Sequence, residues 1–217
     1  MERPILFSTA MVKAILEGRK TQTRRVIKAP VLRNVREPDK VLFDGKICKF
    51  NWHGDDVIGG FEIKPKYQPG DILWVRETWC NYNNKFYYKA DKKCYGCTED
   101  GICMPRGIER HVTCELCEGV GVEGYIRWRP SIHMPREAAR IFLKVKAIRV
   151  EKLQDISETD AIAEGVNHQW EINHNGEKTL KKVCTTVFKE FWDSLNEKNG
   201  YGWDTNPWVW VIEFEKQ

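Results

Sequence analysis

The hydrophobic pattern of the chain predicts strands near both ends and in the middle. Several of these segments alternate apolar and polar residues, which is typical of a strand with one buried face. The predicted strands are residues 4–7, 72–79, 85–89, 141–150 and 208–214. In 141–150 the alternation changes phase after Ala147, which predicts a β-bulge. Bulges favour curved sheets and barrels.

Apolar residues at helical spacing predict three helices. Ser8 is a suitable N-cap for the first, which Gly18 ends. Ser157 and Asp160 form a capping box for a short helix that ends at Gly165. A longer amphipathic helix has the apolar residues Val183, Val187, Phe188, Phe191, Trp192 and Leu195. Strands and helices do not alternate regularly, so the pattern favours an α+β fold, a small and mostly antiparallel barrel with flanking helices.

Two segments without this periodicity are interpreted as insertions into a single domain over residues 1–217. Residues 29–66 are rich in proline and glycine, which predicts a long loop with short hairpins. Residues 93–122 contain five of the eight cysteines. With 41% apolar and 30% charged residues, the chain is expected to be globular. The net charge of +4 does not by itself indicate nucleic-acid binding.

The sequence predicts a cytoplasmic protein without a membrane partner. No segment approaches the roughly 20 apolar residues of a transmembrane helix. The N-terminal residues do not resemble a signal peptide. Without export, the cysteines are not expected to form disulfides.

Four cysteines have the spacing of a metal site. Cys94 and Cys97 form one C-x-x-C pair, and Cys114 and Cys117 form another after sixteen intervening residues. This spacing predicts a four-cysteine zinc site. Four thiolates complete the coordination sphere, so the zinc is expected to be structural and to stabilise a segment that has no core of its own.

Two other interpretations of this segment remain open. Cys103 and His111 are further candidate ligands, and the cysteines could instead be free thiols in a mobile loop. A redox site is disfavoured because no thioredoxin-like βαβ pattern accompanies the pairs. Residues 114–121 also resemble the C-x-x-C-x-G-x-G repeat of J-protein cysteine-rich regions, which bind zinc.

The most informative motif lies in residues 14–25. Gly18, Lys20 and Arg25 form a G-x-K-x-x-x-x-R pattern, and the segment resembles the ASCH domain family, whose hallmark this is. The run from Ile15 onwards, I-L-E-G-R-K-T-Q-T-R-R, is more specifically similar to the bacterial N(4)-acetylcytidine amidohydrolases. The resemblance covers residues 4–28, 67–92 and 139–217. It extends to the longer ASCH proteins of phages and prophages, which share the segments 76–79 and 131–136.

The resemblance implies a PUA-like barrel and a catalytic triad of Lys20, Thr23 and Glu164. The implied activity is hydrolysis of the exocyclic amide of N(4)-acetylcytidine or a related modified nucleoside, with a nucleoside or RNA as the partner. The chain departs from the family in its length, about twice that of the minimal enzyme, and in its two insertions. Either insertion could reshape or cover the pocket.

The residue types of this triad suit the chemistry. Neighbouring arginines disfavour the charged form of Lys20, so its lowered pKa would suit a general base. Thr23 shares a face with Lys20 if the helix continues, and it would be the nucleophile or would position a water. Glu164 would carry the proton to the leaving amine. Arg24 or Arg25 would bind phosphate or stabilise an oxyanion. The alternative is that the cations are solvated near a helix end and that Glu164 is an ordinary helix-end residue.

Four further residues are candidates for substrate binding. Arg76, Glu77 and Trp79 end a predicted strand, where Trp79 could stack on a base. His133 lies in a loop bounded by prolines. The alternatives are an Arg–Glu surface pair, a core tryptophan and a structural histidine. For the chain as a whole, a non-catalytic module that binds RNA or a modified base, or a ribonuclease, remains an alternative to the amidohydrolase.

Overall fold

The computed structural model describes residues 1–28, 38, 40–53, 58–82, 84–91, 128–172 and 177–217. These residues form two compact units. Unit 1 consists of Met1–Arg3, Glu17–Leu73 and Leu143–Gln217, and unit 2 of Pro4–Leu16 and Trp74–Phe142. The four cysteines predicted to bind zinc, in the insertion 93–122, lie outside the described residues.

The described residues contain short strands and three α-helices. The strands are β1 (Glu2–Leu6), β2 (Gln22–Val26), β3 (Lys40–Phe43), β4 (Cys48–His53), β5 (Ile58–Ile63), β6 (Ile72–Arg76), β7 (Trp79–Tyr82), β8 (Lys85–Tyr88), β9 (Phe142–Lys152), β10 (Gln169–Ile172), β11 (Lys178–Lys182) and β12 (Trp208–Lys216). The helices are α1 (Thr9–Leu16), α2 (Glu158–Ala163) and α3 (Cys184–Asn196). All three lie where the sequence predicts helices.

The largest sheet has five strands in the order β1-β6-β9-β12-β2. Strand β12 pairs antiparallel with both β9 and β2. Glu213 lies opposite Ala147 and Phe214 opposite Val145, so Lys146 is the extra residue of a bulge. The bulge that the sequence predicts after Ala147 is therefore present, displaced by one residue.

Both faces of β12 are covered. On one face Val209 and Val211, which are fully buried, pack in a core with Phe188 and Trp192 of α3. Burial of each large apolar side chain of this kind stabilises the fold by about 1.5–3 kcal/mol. The amphipathic face that the sequence predicts for this helix is confirmed in part: Phe188 and Trp192 are buried with Cys184, whereas Val183 and Leu195 are exposed.

The other face of β12 contacts the segment predicted to be a loop insertion. Residues 29–66 contain the antiparallel sheet β3-β4-β5. Phe43 lies edge-on to Trp210 with ring centroids 5.4 Å apart, and Phe50 lies edge-on to Trp208 at 5.7 Å. Phe50 is completely buried. This sheet therefore forms part of the core of unit 1.

The structure confirms a mixed α+β fold with mostly antiparallel strands. Its described residues show no closed barrel, since β1 and β2 are the edges of the five-stranded sheet. The other pairs are the hairpins β7-β8 and β10-β11. Among the described helices, none has the length and apolar character that crossing a membrane requires.

Candidate functional site

Glu164 occupies the C-terminal end of helix α2. The helix begins at the predicted cap, where the backbone N–H of Asp160 donates to the hydroxyl of Ser157 at 3.1 Å. It ends because Gly165 adopts a φ of 93°, a left-handed conformation that glycine takes at little cost. These two local signals place Glu164 in the interior of unit 1, where only 4% of the residue is exposed.

Lys20 meets Glu164 from a distant part of the chain. Its Nζ donates at 2.8 Å both to Oε2 and to the backbone carbonyl of Glu164. The lysine side chain is 0% and the glutamate side chain 2% exposed. Backbone hydrogen bonds fix the approach, since the N–H of Thr21 donates to Ala163 and its carbonyl accepts from Phe214. The pair that the resemblance implies is therefore in direct contact.

Burial is the main influence on the charge of Lys20. Removal from water lowers the pKa of this lysine, against the opposing attraction of Glu164. Arg25 and Arg24 lower the pKa further, but less than burial does. The sequence predicts a lowered pKa for Lys20, and this direction is confirmed. The predicted cause, the neighbouring arginines, contributes less to it than burial does.

Arg24 holds several carboxylates together behind this pair. It lies on the face of β2 that points towards α2 and α3, and its side chain is fully buried. Its guanidinium contacts Glu164 at 3.2 Å, Asp160 at 3.3 Å and Glu151. The five donors of arginine allow such multiple contacts. Arg24 therefore fixes the second oxygen of the Glu164 carboxylate, while Lys20 contacts the first.

A second arginine extends this network towards the surface. Arg149 contacts Asp160 at 2.8 Å, Glu151 at 3.0 Å and Glu213. Burial raises the pKa of Asp160, but the charges of Arg149 and Arg24 outweigh this and leave it below its usual range. Sequence reasoning did not identify these residues as site candidates. For Arg149 and Glu151 the available signal is a pair of opposite charges at alternate positions of β9.

Thr23 lies on the opposite face of β2 from Arg24. Helix α1 ends at Leu16, so the condition under which Lys20 and Thr23 would share a helical face is not met. Thr23 is instead a strand residue opposite Ile212. Its hydroxyl is sealed from solvent and makes no hydrogen bond within the described part of the chain.

Arg25 lies on the same face of β2 as Thr23, opposite Trp210. It retains partial exposure. Burial lowers its pKa, with Tyr67 and then Glu164 acting in the opposite direction. Arg24 is fully buried and contacts three carboxylates, whereas part of Arg25 is exposed, so Arg25 is the more accessible of the two arginines to an anionic group.

The other four candidates belong to unit 2. Arg76 donates to the carbonyls of Met134, at 3.2 Å, and Ile132. Glu77 is 1% exposed and forms a two-pronged contact with Arg140, at 2.9 and 3.1 Å.

Trp79 and His133 differ strongly in exposure. Trp79 is 4% exposed and packs with Met134 and Ala138 in the core of unit 2. His133 is exposed and ends a short 3-10 helix, Ser131–His133. These positions give Arg76, Glu77 and Trp79 structural contacts, and a role for any of the four in substrate binding stays a prediction.

Within the described residues, one group of side chains could hold a metal ion. Donor atoms of Glu158, His168 and Cys184 all lie within 4.8 Å of one another. The group is in unit 1. Its residue Glu158 begins helix α2, whereas Glu164 lies at the other end of that helix. It is distinct from the four cysteines of the predicted zinc site.

No protein-family model matches the chain, and comparisons with curated proteins and with solved structures find no match. The likeness of residues 14–25 to the ASCH family therefore stays a prediction that rests on the motif itself.

Proposed function

We propose that the chain is a hydrolase of the ASCH type that cleaves the exocyclic amide of N(4)-acetylcytidine or a related modified nucleoside. The proposal includes a PUA-like domain with insertions at 29–66 and 93–122, and a structural zinc ion on the four cysteines of the second insertion. The observation that carries the proposal is the buried contact of Lys20 with Glu164, close enough to the motif residue Arg25 for their charges to interact.

The burial of the Lys20–Glu164 ion pair is not explained by stability alone. Removing two charges from water costs several kcal/mol per ion, and apolar residues of similar volume often serve stability better. Perturbed ionisable groups of this kind are concentrated at functional sites. Lys20 has a lowered pKa, and Glu164 is held from two sides, so the pair has the properties of a proton-transfer centre.

The proposed reaction is the addition of water to the amide, which yields acetate and cytidine. Neutral Lys20 accepts a proton as the nucleophile attacks the acetyl carbonyl. The nucleophile is either the Thr23 hydroxyl, through an ester that water then hydrolyses, or water itself. Glu164 receives this proton from Lys20 across their 2.8 Å contact and delivers it to the departing exocyclic nitrogen. Arg25 stabilises the negative charge on the carbonyl oxygen.

The test is release of cytidine from N(4)-acetylcytidine by the purified full chain. We expect turnover in the native chain and a loss of at least about 100-fold in Lys20→Ala and Glu164→Gln, as for removal of a general acid or base. Asp71→Asn is a matched control, because Asp71 is a buried carboxylate of unit 1 that pairs with the N-terminus and Arg3. No turnover by folded native chain, or full activity in Glu164→Gln, would overturn the proposal.

A second candidate, RNA or modified-base binding without turnover, is favoured by cation–π pairs in unit 2. Arg76 lies 5.5 Å from the ring centroid of Trp74, and Arg136 lies 4.5 Å from that of Phe142. Stacked arginines and aromatic rings are common in single-strand recognition. Salt-dependent binding of an RNA oligonucleotide that is weakened by Arg136→Ala, without hydrolysis of N(4)-acetylcytidine, would favour this candidate.

A further inference from the structure

Three elements of unit 1 bring potential metal ligands to one point. Glu158 is the first residue of α2, Cys184 the first residue of α3, and His168 lies directly before β10. Their donor atoms lie within 4.8 Å of one another. Cys184 is fully buried, whereas Glu158 and His168 are partly buried. The group therefore sits at the edge of the core, where an ion could enter from solvent.

Helix capping explains only one of the three side chains. The Glu158 carboxylate accepts the backbone N–H groups of Cys184 and of Thr185, the latter at 3.1 Å, and so caps α3. A carboxylate has about four acceptor positions, so these bonds leave capacity for another partner. Capping gives no reason for the presence of an imidazole and a thiol.

The two other donor atoms differ in their contacts. His168 Nδ1 is sealed from solvent, lies 3.4 Å from Glu158 Oε1 and makes no hydrogen bond within the residues described. The Cys184 thiol contacts the Glu158 carboxylate and the backbone N–H of His168, and its Sγ lies 4.0 Å from the Val166 carbonyl. A sealed ring nitrogen normally has a strong partner, because an unmade buried hydrogen bond costs about 1–3 kcal/mol. Within the described residues, His168 Nδ1 therefore lacks such a hydrogen-bond partner.

We propose that Glu158, His168 and Cys184 form a second zinc site with an open fourth position. Oxygen, nitrogen and sulfur ligands are the set that zinc accepts in proteins. Ligands of a tetrahedral zinc ion stand about 3.3–3.8 Å apart for bonds of about 2.0–2.3 Å. The side chains therefore need to move by only about 1 Å. Binding releases the thiol proton of Cys184 to solvent, and the thiolate and carboxylate share the positive ion.

The site would join two helices. Glu158 begins the helix whose other end is Glu164, and Cys184 begins the helix that packs on β12. A bound ion would attach the start of α2 to the start of α3 and would stabilise this arrangement by an amount that grows with the logarithm of its affinity. This inference does not depend on the proposed hydrolase activity, and its readout is metal content.

The experiment removes the competing cysteines first. In a full-length background with Cys94, Cys97, Cys114 and Cys117 changed to Ser, cobalt(II) is added to metal-free protein, and bound zinc is measured separately after dialysis. We expect one ion per chain, with the near-ultraviolet absorption of a thiolate–cobalt bond. His168→Ala should lose the ion and the absorption band, and Cys184→Ser should lose the band. Cys80→Ser, which alters a buried cysteine of unit 2, should retain both.

Thermal unfolding and the zinc content of the otherwise native chain provide two further tests of the site. Zinc should raise the thermal midpoint of the background chain but not that of His168→Ala, whose side chain is 34% exposed and is not needed for the core. If the background does not fold, the same His168→Ala change in the otherwise native chain should lower the zinc content by one ion. A folded background that binds no metal at micromolar zinc, or an unchanged stoichiometry in His168→Ala, would overturn the proposal.

Discussion

Nζ of Lys20 lies 2.8 Å from Oε2 of Glu164, although 144 positions separate the two residues in the chain. Neither side chain has appreciable access to solvent. The contact joins the segment that precedes β2 to the C-terminal end of α2. It therefore depends on how the helix packs against the sheet, and it connects the chemistry of the site to the stability of unit 1.

The coupling between Lys20 and Glu164 should be large for an ion pair. Removing one partner of a buried pair commonly costs about 3–5 kcal/mol. In a double-mutant cycle with Lys20→Met and Glu164→Gln, we expect a coupling energy of about 1–3 kcal/mol, measured by urea unfolding. The control is the exposed pair Lys49–Glu62, which has the same 2.8 Å separation and should give less than about 1 kcal/mol. Equal coupling in both cycles would contradict the importance of burial.

Asp160→Asn should have an effect that depends on pH. The pKa of Asp160 is lowered from its ordinary value of 3.8, so its stabilising contribution is present above about pH 4 and is lost as pH falls through the folded-state pKa. At neutral pH we expect the variant to lose about 1–3 kcal/mol of unfolding free energy. Urea unfolding of both chains across the acidic range should show the difference shrinking below about pH 4. A constant difference would refute the assignment.

Gly165→Ala should disturb the position of Glu164. Gly165 has a φ of 93°, where an alanine costs about 1–2 kcal/mol because of its Cβ. Gly202→Ala is the matched control, since Gly202 has a φ of −61° and an added Cβ would meet atoms no closer than 3.4 Å. We expect a lower thermal midpoint for the first variant and a much smaller change for the second. A larger fall in the thermal midpoint for Gly202→Ala than for Gly165→Ala would show that the turn after α2 does not require glycine.

The thiol of Cys48 should resist alkylation in the native protein. Burial raises the pKa of this thiol from 9.0 to about 12, and the residue is fully buried in β4. At pH 8 only about one molecule in ten thousand would carry the reactive thiolate. Peptide mapping after iodoacetamide treatment should find Cys48 unmodified in buffer and modified in urea. Modification of Cys48 at similar rates in both conditions would contradict its burial.

Much of the local structure follows from local sequence patterns. The three helices begin and end close to the predicted positions, because caps such as Ser157 and end signals such as Gly165 act over a few residues. The bulge in β9 was predicted to within one residue from a change in alternation. The motif also identified Lys20 as a site candidate, and the resemblance identified Glu164.

The sequence did not reveal the surroundings of these two residues. Arg24 contacts this carboxylate, and Arg149 joins the same network through Glu151 and Asp160, because β12 holds β2 and β9 in one register with Arg24 and Arg149 both opposite Val211. Nor did proline and glycine content show that the strands in 29–66 cover Trp208 and Trp210.

Local structure could be predicted from the sequence, whereas tertiary contacts could not, and the difference has a physical reason. Periodicity, caps and turns are encoded by neighbours in the chain, so the sequence by itself determined the three helices and five of the twelve described strands, and its motif supplied the resemblance from which the site residues were proposed. Strand register and the packing of one element on another depend on the free energy of burying the whole core. Only the tertiary structure could therefore decide that Lys20 contacts Glu164, that Arg24 supports it, and that Thr23 faces the other side of β2.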